Sequence, residues 1–215
     1  MTLEYDLYWS FRSPYSYMVT PRLMALEAAF DVRCSVRPVY PLAVRTPEFF
    51  DGRDPLWFRY FMTDVFREAA FLGLPFRWPR PDPVQQAPGV GYRMEQPHIH
   101  RLTHLGVAAA QWGTGLPFLA QVSKTIWSGE VDDWHLGDHL ARAAERAGLD
   151  YAELSAAVDG DPGRHATVVE ANQIAQREAG HWGVPMMVFV GEAFFGQDRV
   201  DHLKWRLEQH GLERR

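Results

Sequence analysis

Leu3-Glu4-Tyr5-Asp6-Leu7-Tyr8-Trp9 runs directly into Ser10-Phe11-Arg12-Ser13-Pro14-Tyr15-Ser16, and this junction decides the architecture. The first stretch alternates apolar and polar residues and then turns wholly apolar, as a strand does when it enters a sheet core. Residues 10–13 break that pattern. Ser13 is a good helix N-cap type, and Pro14 suits a first helical turn, where its missing N–H has no intrahelical partner. A helix is therefore expected to about residue 30. Val32, Cys34 and Val36 then alternate with polar neighbours, predicting a second strand that ends near Pro38. A strand, crossover helix and strand in this order predict a parallel pair.

Further along, the period changes from two to that of a helix. Residues 57–72 carry apolar side chains at spacings of three and four, and residues 75–97 are too rich in proline for a helix interior, so they are expected to form a long surface loop. Helices are predicted over 99–112, 117–127, 135–147, 151–158 and 164–179. After Gly183-Val184-Pro185 the pattern returns to strand over 186–190, with a turn at Gly191-Glu192 and a short return strand at 193–195. A last helix is expected over 198–210, its acidic first residue suiting a helix N-terminus. The expected organisation is an α/β domain made of residues 1–40 and 181–215, split by an all-helical insertion of residues 41–180.

Composition narrows the function. The chain has 215 residues, 47% of them apolar and 23% charged, with a net charge of −5, which is ordinary for a globular protein. Of its 22 basic residues only Lys124 and Lys204 are lysines, and no basic run suits a nucleic-acid groove. No leader pattern and no stretch of about 18 apolar residues is present, so neither export nor a membrane partner is expected. The single cysteine, Cys34, rules out a disulfide within the chain and a Cys-x-x-Cys dithiol, and it points to a reducing cytoplasm. On its strand it reads as inert packing. His100 with His104, and His135 with His139, are each four residues apart, but no zincin-type glutamate accompanies either pair, so no metal is expected.

The segment Tyr8-Trp9-Ser10-Phe11-Arg12-Ser13-Pro14-Tyr15-Ser16-Tyr17 resembles the N-terminal motif of the 2-hydroxychromene-2-carboxylate isomerases and the kappa-class glutathione transferases, relatives of the DsbA-like oxidoreductases. The resemblance continues through Tyr60-x-x-x-Asp64-x-x-Arg67, Gly73-Leu74-Pro75-Phe76-x-Trp78-Pro79, Gly183-Val184-Pro185 and Phe195-Gly196-Gln197-Asp198-Arg199. It implies a thioredoxin-like fold split by the helical insertion, glutathione as cofactor, an aromatic 2-oxo acid as substrate, and a homodimer. It implies that Ser13 addresses the glutathione sulfur, that Val184-Pro185 is a cis peptide facing the bound thiol compound, and that Gln197 and Asp198 hold the γ-glutamyl end. The chemistry of the residues agrees with the first of these. A free thiol has a pKa of about 8.5, so a site that uses it must favour the thiolate, which a serine O–H and free helix N–H groups do. Each residue also has a plain structural reading: Ser13 as a cap, Pro185 as an ordinary trans proline, Asp198 as a cap.

The chain departs from that pattern at three places. Ser10 stands where relatives carry an acid, Trp57 stands where they carry a lysine, and their loop asparagine has no counterpart between Arg45 and Pro55. Arg59, with Arg45 or Arg53 as alternatives, is expected to supply the missing cation, and Trp127 is expected to line the substrate site. The resemblance leaves two other functions open: a kappa-like glutathione transferase, and a thioredoxin-fold binding protein without catalysis.

Overall fold

The structure is a computed structural model describing residues 2–50, 52–87, 91–92 and 95–215. The expected opening unit is present. Strand β1 (Leu3–Trp9) is followed by helix α1 (Pro14–Ala29) and strand β2 (Val32–Pro38). β1 and β2 are parallel, in register from Leu3 opposite Val32 to Trp9 opposite Pro38. A short helix α2 (Leu42–Arg45), a 3-10 turn (Pro47–Phe50) and the long helix α3 (Pro55–Phe71) come next. Two short antiparallel strands, β3 (Gln86–Ala87) and β4 (Gly91–Tyr92), precede helices α4 (Pro97–Gln111), α5 (Gly115–Trp127), α6 (His139–Arg146), α7 (Tyr151–Gly160) and α8 (Pro162–Glu178). The chain then rejoins the sheet with β5 (Met186–Phe189) and β6 (Glu192–Phe195), a 3-10 turn (Gln197–Arg199) and helix α9 (Val200–Gln209).

The main sheet has the order β2-β1-β5-β6. β5 runs antiparallel to both β1 and β6. This places the end of β1, the start of α1 and the turn before β5 at one end of the sheet. Hydrophobic burial holds them there: Tyr5, Leu7, Trp9 and Phe11 from the β1 segment, Met18, Val19 and Leu23 from α1, Leu119, Val122 and Trp127 from α5, and Met187 from β5 form one continuous core. Within it, Trp9 and Phe11 meet edge to face at 4.6 Å, and the Trp9 indole N–H donates to the carbonyl of Ser16 at 2.8 Å, so the buried polar handle of the ring is satisfied.

Several local expectations are corrected. Pro97 opens α4 instead of closing a loop, the position where its missing N–H costs nothing. The helix expected over 135–147 begins only at His139, because Asp133 and Gly137 take positive φ values of 51° and 60° in the preceding turns. The β5–β6 turn consists of Val190 and Gly191, with φ of 51° and 78°, and Glu192 already pairs with Phe189. Two successive positive φ values match the right-handed twist of a two-residue hairpin. The proline-rich stretch 75–97 is not simply a surface loop. Pro79, Pro83 and Val84 are buried, the Tyr17 hydroxyl donates to the Pro75 carbonyl at 2.7 Å, and the Trp134 indole donates to the Pro81 carbonyl at 2.7 Å. The remainder of that expectation, at 88–90 and 93–94, lies outside the described residues.

Candidate active site

Ser13 is the N-cap of α1. Its Oγ accepts from the Ser16 N–H at 3.2 Å, and its own N–H donates to the Ser10 carbonyl at 3.1 Å. The same hydroxyl also points across the sheet end, donating to the Val184 carbonyl at 3.4 Å. The cap role and the cross-fold contact thus belong to one side chain. The Val184–Pro185 peptide is cis. Ser16 is completely buried, and its hydroxyl has no hydrogen-bond partner among the described residues. The two serines occupy the ends of a four-residue segment at a helix N-terminus, where a dithiol enzyme requires cysteines.

Around this contact the backbone is selectively satisfied. The Gly183 N–H, the Gly183 carbonyl and the Pro185 carbonyl each have a partner. The Val184 N–H makes no hydrogen bond among the described residues, and its carbonyl has only the long Ser13 contact. An extended strand of a ligand backbone can pair with that peptide, because an unpaired main-chain donor and acceptor side by side are what a strand edge offers.

Gln197 is buried. Its carbonyl accepts from Arg22 at 2.8 Å, and its Nε2 donates to Glu68 Oε2 of α3 at 2.6 Å. Its Oε1 has no partner among the described residues, an acceptor beside a carboxylate that suits an ammonium group. Asp198 is exposed and paired with Arg199 at 2.9 Å. Its carboxylate folds back over Gly196, whose φ of 116° and whose lack of a Cβ both require glycine: a Cβ there would lie 2.5 Å from Asp198 Oδ1.

The opposite wall is one face of α3. Trp57, Phe61, Asp64 and Glu68 are spaced by four, three and four, which stacks them along one side of the helix. Phe61 lies parallel to Trp57 at 5.7 Å and edge-on to Tyr15 at 5.9 Å, and the Tyr15 hydroxyl donates to Asp64 Oδ2 at 2.6 Å. Burial first, and the adjacent carboxylate second, push the Tyr15 phenol far above its usual value, so it remains a proton donor to Asp64. Arg12 pairs with Asp82 at 2.5 Å and lies over the Trp78 ring at 4.6 Å.

Two expected site residues lie elsewhere. Arg59 sits about 200° round the helix from Trp57, exposed and facing away from Tyr15 and Gln197. Of the other cations, Arg53 lies on the Phe49 ring at 3.6 Å and 5.1 Å from that of Trp57. Arg45 bonds Gln176 at 2.9 Å and the Trp182 carbonyl at 2.5 Å, and burial, with Arg177 nearby, pushes its guanidinium down to about 10. Trp127 is wholly buried. It stacks on Phe76 at 5.7 Å, meets Trp78 edge-on, and donates from its indole to the Phe11 carbonyl at 2.9 Å. It is core behind the site and offers no face to a substrate.

Tyr15, Asp64, Glu68, Gln176 and His181 carry no role in the sequence reading. Asp64 and Glu68 had a signal, the shared helical face from Trp57 to Glu68, whereas Tyr15 stands on α1. Gln176 and His181 had none, since their partners depend on long-range packing. The histidine pairs resolve into packing: His104 meets the Tyr40 hydroxyl at 2.7 Å, and His135 lies before α6, against His98 at 4.6 Å. Among the described residues no group of three or more His, Cys, Asp or Glu is placed to hold a metal, and no helix is long and apolar enough to cross a membrane.

A serine-capped helix thus faces the Val184–Pro185 turn at one end of a β2-β1-β5-β6 sheet, and the model of the DsbA-like thioredoxin domain matches residues 5–208. The chain belongs to the DsbA-like thioredoxin domain family. Its fold is similar to that of a 2-hydroxychromene-2-carboxylate isomerase, at 19% identity and a TM-score of 0.72, covering 96% of this chain and 95% of the other. It is also similar to a probable DsbA oxidoreductase from Streptomyces coelicolor, at 20% identity and a TM-score of 0.64 over 96% and 89% of the two chains. The cytosolic disulfide reductase DsbM from Pseudomonas aeruginosa is similar as well, at 16% identity and a TM-score of 0.62 over 97% and 98%. No curated protein sequence matches. These likenesses establish a DsbA-like thioredoxin fold with a helical insertion. Disulfide chemistry of the DsbA type needs cysteines, and this member of the family has Ser13 and Ser16 at the helix N-terminus with Cys34 on β2. Burial pushes the Cys34 thiol well above its usual value, the opposite of what a nucleophilic cysteine requires.

Proposed function

We propose that this protein is a glutathione-dependent cis–trans isomerase of an aromatic 2-oxo acid of the 2-hydroxychromene-2-carboxylate type. The observation that carries the reading is the Ser13 hydroxyl at the start of α1, facing a cis Val184–Pro185 turn whose Val184 N–H is unpaired. Glutathione fits the residues present: the Val184 peptide would pair with its cysteinyl backbone, and Gln197, with its unpartnered Oε1, and Asp198 would hold the γ-glutamyl end. When bound, it would supply a thiolate that adds reversibly to the conjugated carbon, so that the double bond becomes single, rotates, and re-forms as the sulfur leaves. Ser13 would donate its proton to the sulfur in place of Val184, and the first N–H groups of α1 would add to this stabilisation. The aromatic wall of Tyr15, Trp57 and Phe61 would cover the substrate ring, and Arg53, at the Trp57 end of that wall, would meet its carboxylate.

A structure of DsbM with GSH lies among the solved folds similar to this one, at 14% identity. This supports glutathione as the thiol and a reducing cytoplasm as the setting, and the reading carries with it a homodimer. The test is calorimetric titration with glutathione of the wild type and Asp198→Ala, followed by product analysis with 2-hydroxychromene-2-carboxylate. Saturable binding weakened by Asp198→Ala, with isomer as product, supports the reading. A conjugate as product would make the protein a kappa-like transferase, and no binding at millimolar glutathione would overturn the proposal.

A further inference from the structure

The turn that presents Val184 is held by side chains that the reaction itself does not use. Gln176 of α8 is completely buried; its Nε2 donates to the Gly183 carbonyl at 2.7 Å, and its Oε1 accepts from Arg45 Nη1 at 2.9 Å. Arg45 Nη2 reaches on to the Trp182 carbonyl at 2.5 Å. The Gly183 N–H donates to His181 Nδ1 at 2.8 Å. Gly183 is itself wedged against the Phe195 ring, where a Cβ would come within 2.3 Å of a ring carbon. Three side chains thus occupy the polar backbone groups just before Val184, and the Val184 peptide is the one left open. We infer that His181, Gln176 and Arg45 are positioning residues that set the Val184 peptide for a thiol ligand, and that the ligand is held more tightly while His181 is neutral. This rests on the glutathione reading of the site.

His181 is the part of the clamp that can titrate. Because Nδ1 accepts a hydrogen bond, the ring proton resides on Nε2. A second proton would make Nδ1 a donor facing another donor, and the bond to Gly183 would be lost. The ring stacks on Phe195 of β6 at 3.9 Å and meets Trp182 at 4.9 Å. Among the described residues, the charged group bonded to this segment is Arg45 of α2, with Arg177 of α8 near it; both are cations, and neither can offset a positive ring. Burial holds His181 below the usual histidine range, so it is neutral at pH 7 and takes up its proton only in acid.

The probe is S-methylglutathione, which has no thiol to ionise and whose other groups keep their charge between about pH 5 and pH 7. In wild type, affinity measured by calorimetry is expected to fall from the upper to the lower limit of that window, by up to about fivefold, the full effect of losing one hydrogen bond. His181→Ala should be weak at both limits. His181→Asn, whose Oδ1 can accept from Gly183 without titrating, should recover affinity relative to alanine and show a flat profile. Thermal melts at each pH separate loss of the clamp from unfolding. A flat wild-type profile, or an asparagine variant that keeps the pH dependence, would overturn the inference while leaving the glutathione reading intact. Absence of wild-type binding at every pH would overturn both.

Discussion

Removing the Ser13 hydroxyl tests two roles that one atom performs, and two substitutions separate them. Oγ accepts from the Ser16 N–H at 3.2 Å, which is the cap, and donates toward Val184 at 3.4 Å, with a proton that would turn to a bound thiolate. Losing a serine cap to alanine costs about 1 kcal/mol, whereas glycine at the same position costs only a few tenths. In a chain of this size about 1 kcal/mol lowers Tm by roughly 2–4 °C. Losing a hydrogen bond to a charged sulfur costs about 1.5–3 kcal/mol, which is roughly 1–2 units in the pKa of the bound thiol and about tenfold to a hundredfold in rate. Ser13→Ala and Ser13→Gly should therefore differ in Tm but suffer the same loss of thiolate. The assays are scanning calorimetry of the free protein and a pH titration of the thiolate ultraviolet absorbance of bound glutathione. If the glycine variant matched wild type in both, the hydroxyl would be a cap alone, and the catalytic role assigned to it would be refuted.

Trp127→Ala should cost about 3–5 kcal/mol of stability, the range for a large buried ring, because it removes the stack on Phe76 and strands the Phe11 carbonyl; urea unfolding measures this, and a variant as stable as wild type but with a raised KM would return Trp127 to the substrate site. Mild acid should destabilise the fold through His104. Burial, with His165 and His100 nearby, pushes His104 down to about 4, whereas an unfolded histidine takes up its proton near 6.5. The unfolded chain then binds more protons than the folded one, so stability is complete above about pH 6.5 and declines as pH falls toward about 4. Urea midpoints at neutral and mildly acid pH should show the decline, and His104→Gln should reduce it; a midpoint independent of pH would contradict the burial of a neutral ring.

Legibility followed the range of the interactions. The β1-α1-β2 unit could be read because alternation, a serine cap and a proline in the first turn act within a few residues of one another. Pro97 was misread because the same proline that closes a loop also opens a helix, and only the path of the following residues decides between them. The hairpin turn moved by one residue because Val190 accepts a positive φ, which a β-branched residue does only where the flanking strands impose it. The stretch 75–97 looked like surface because proline excludes regular structure; it does not exclude burial, and Pro79 and Pro83 are buried.

By itself the sequence determined the strand-helix-strand entry, a hydroxyl in place of a thiol at a helix N-terminus, the absence of a dithiol, and a Val-Pro step before the returning strands. Each is a matter of residue type and local spacing. The tertiary structure alone decided that Ser13 meets Val184 across 171 positions of chain, that Glu68 reaches Gln197, and that Gln176 and His181 grip Gly183. It also decided that Arg59 turns outward and that Trp127 goes into the core. Helical spacing states which residues share a face, but which face meets the cleft follows from how several apolar surfaces are buried together, and no short stretch of the chain contains that information.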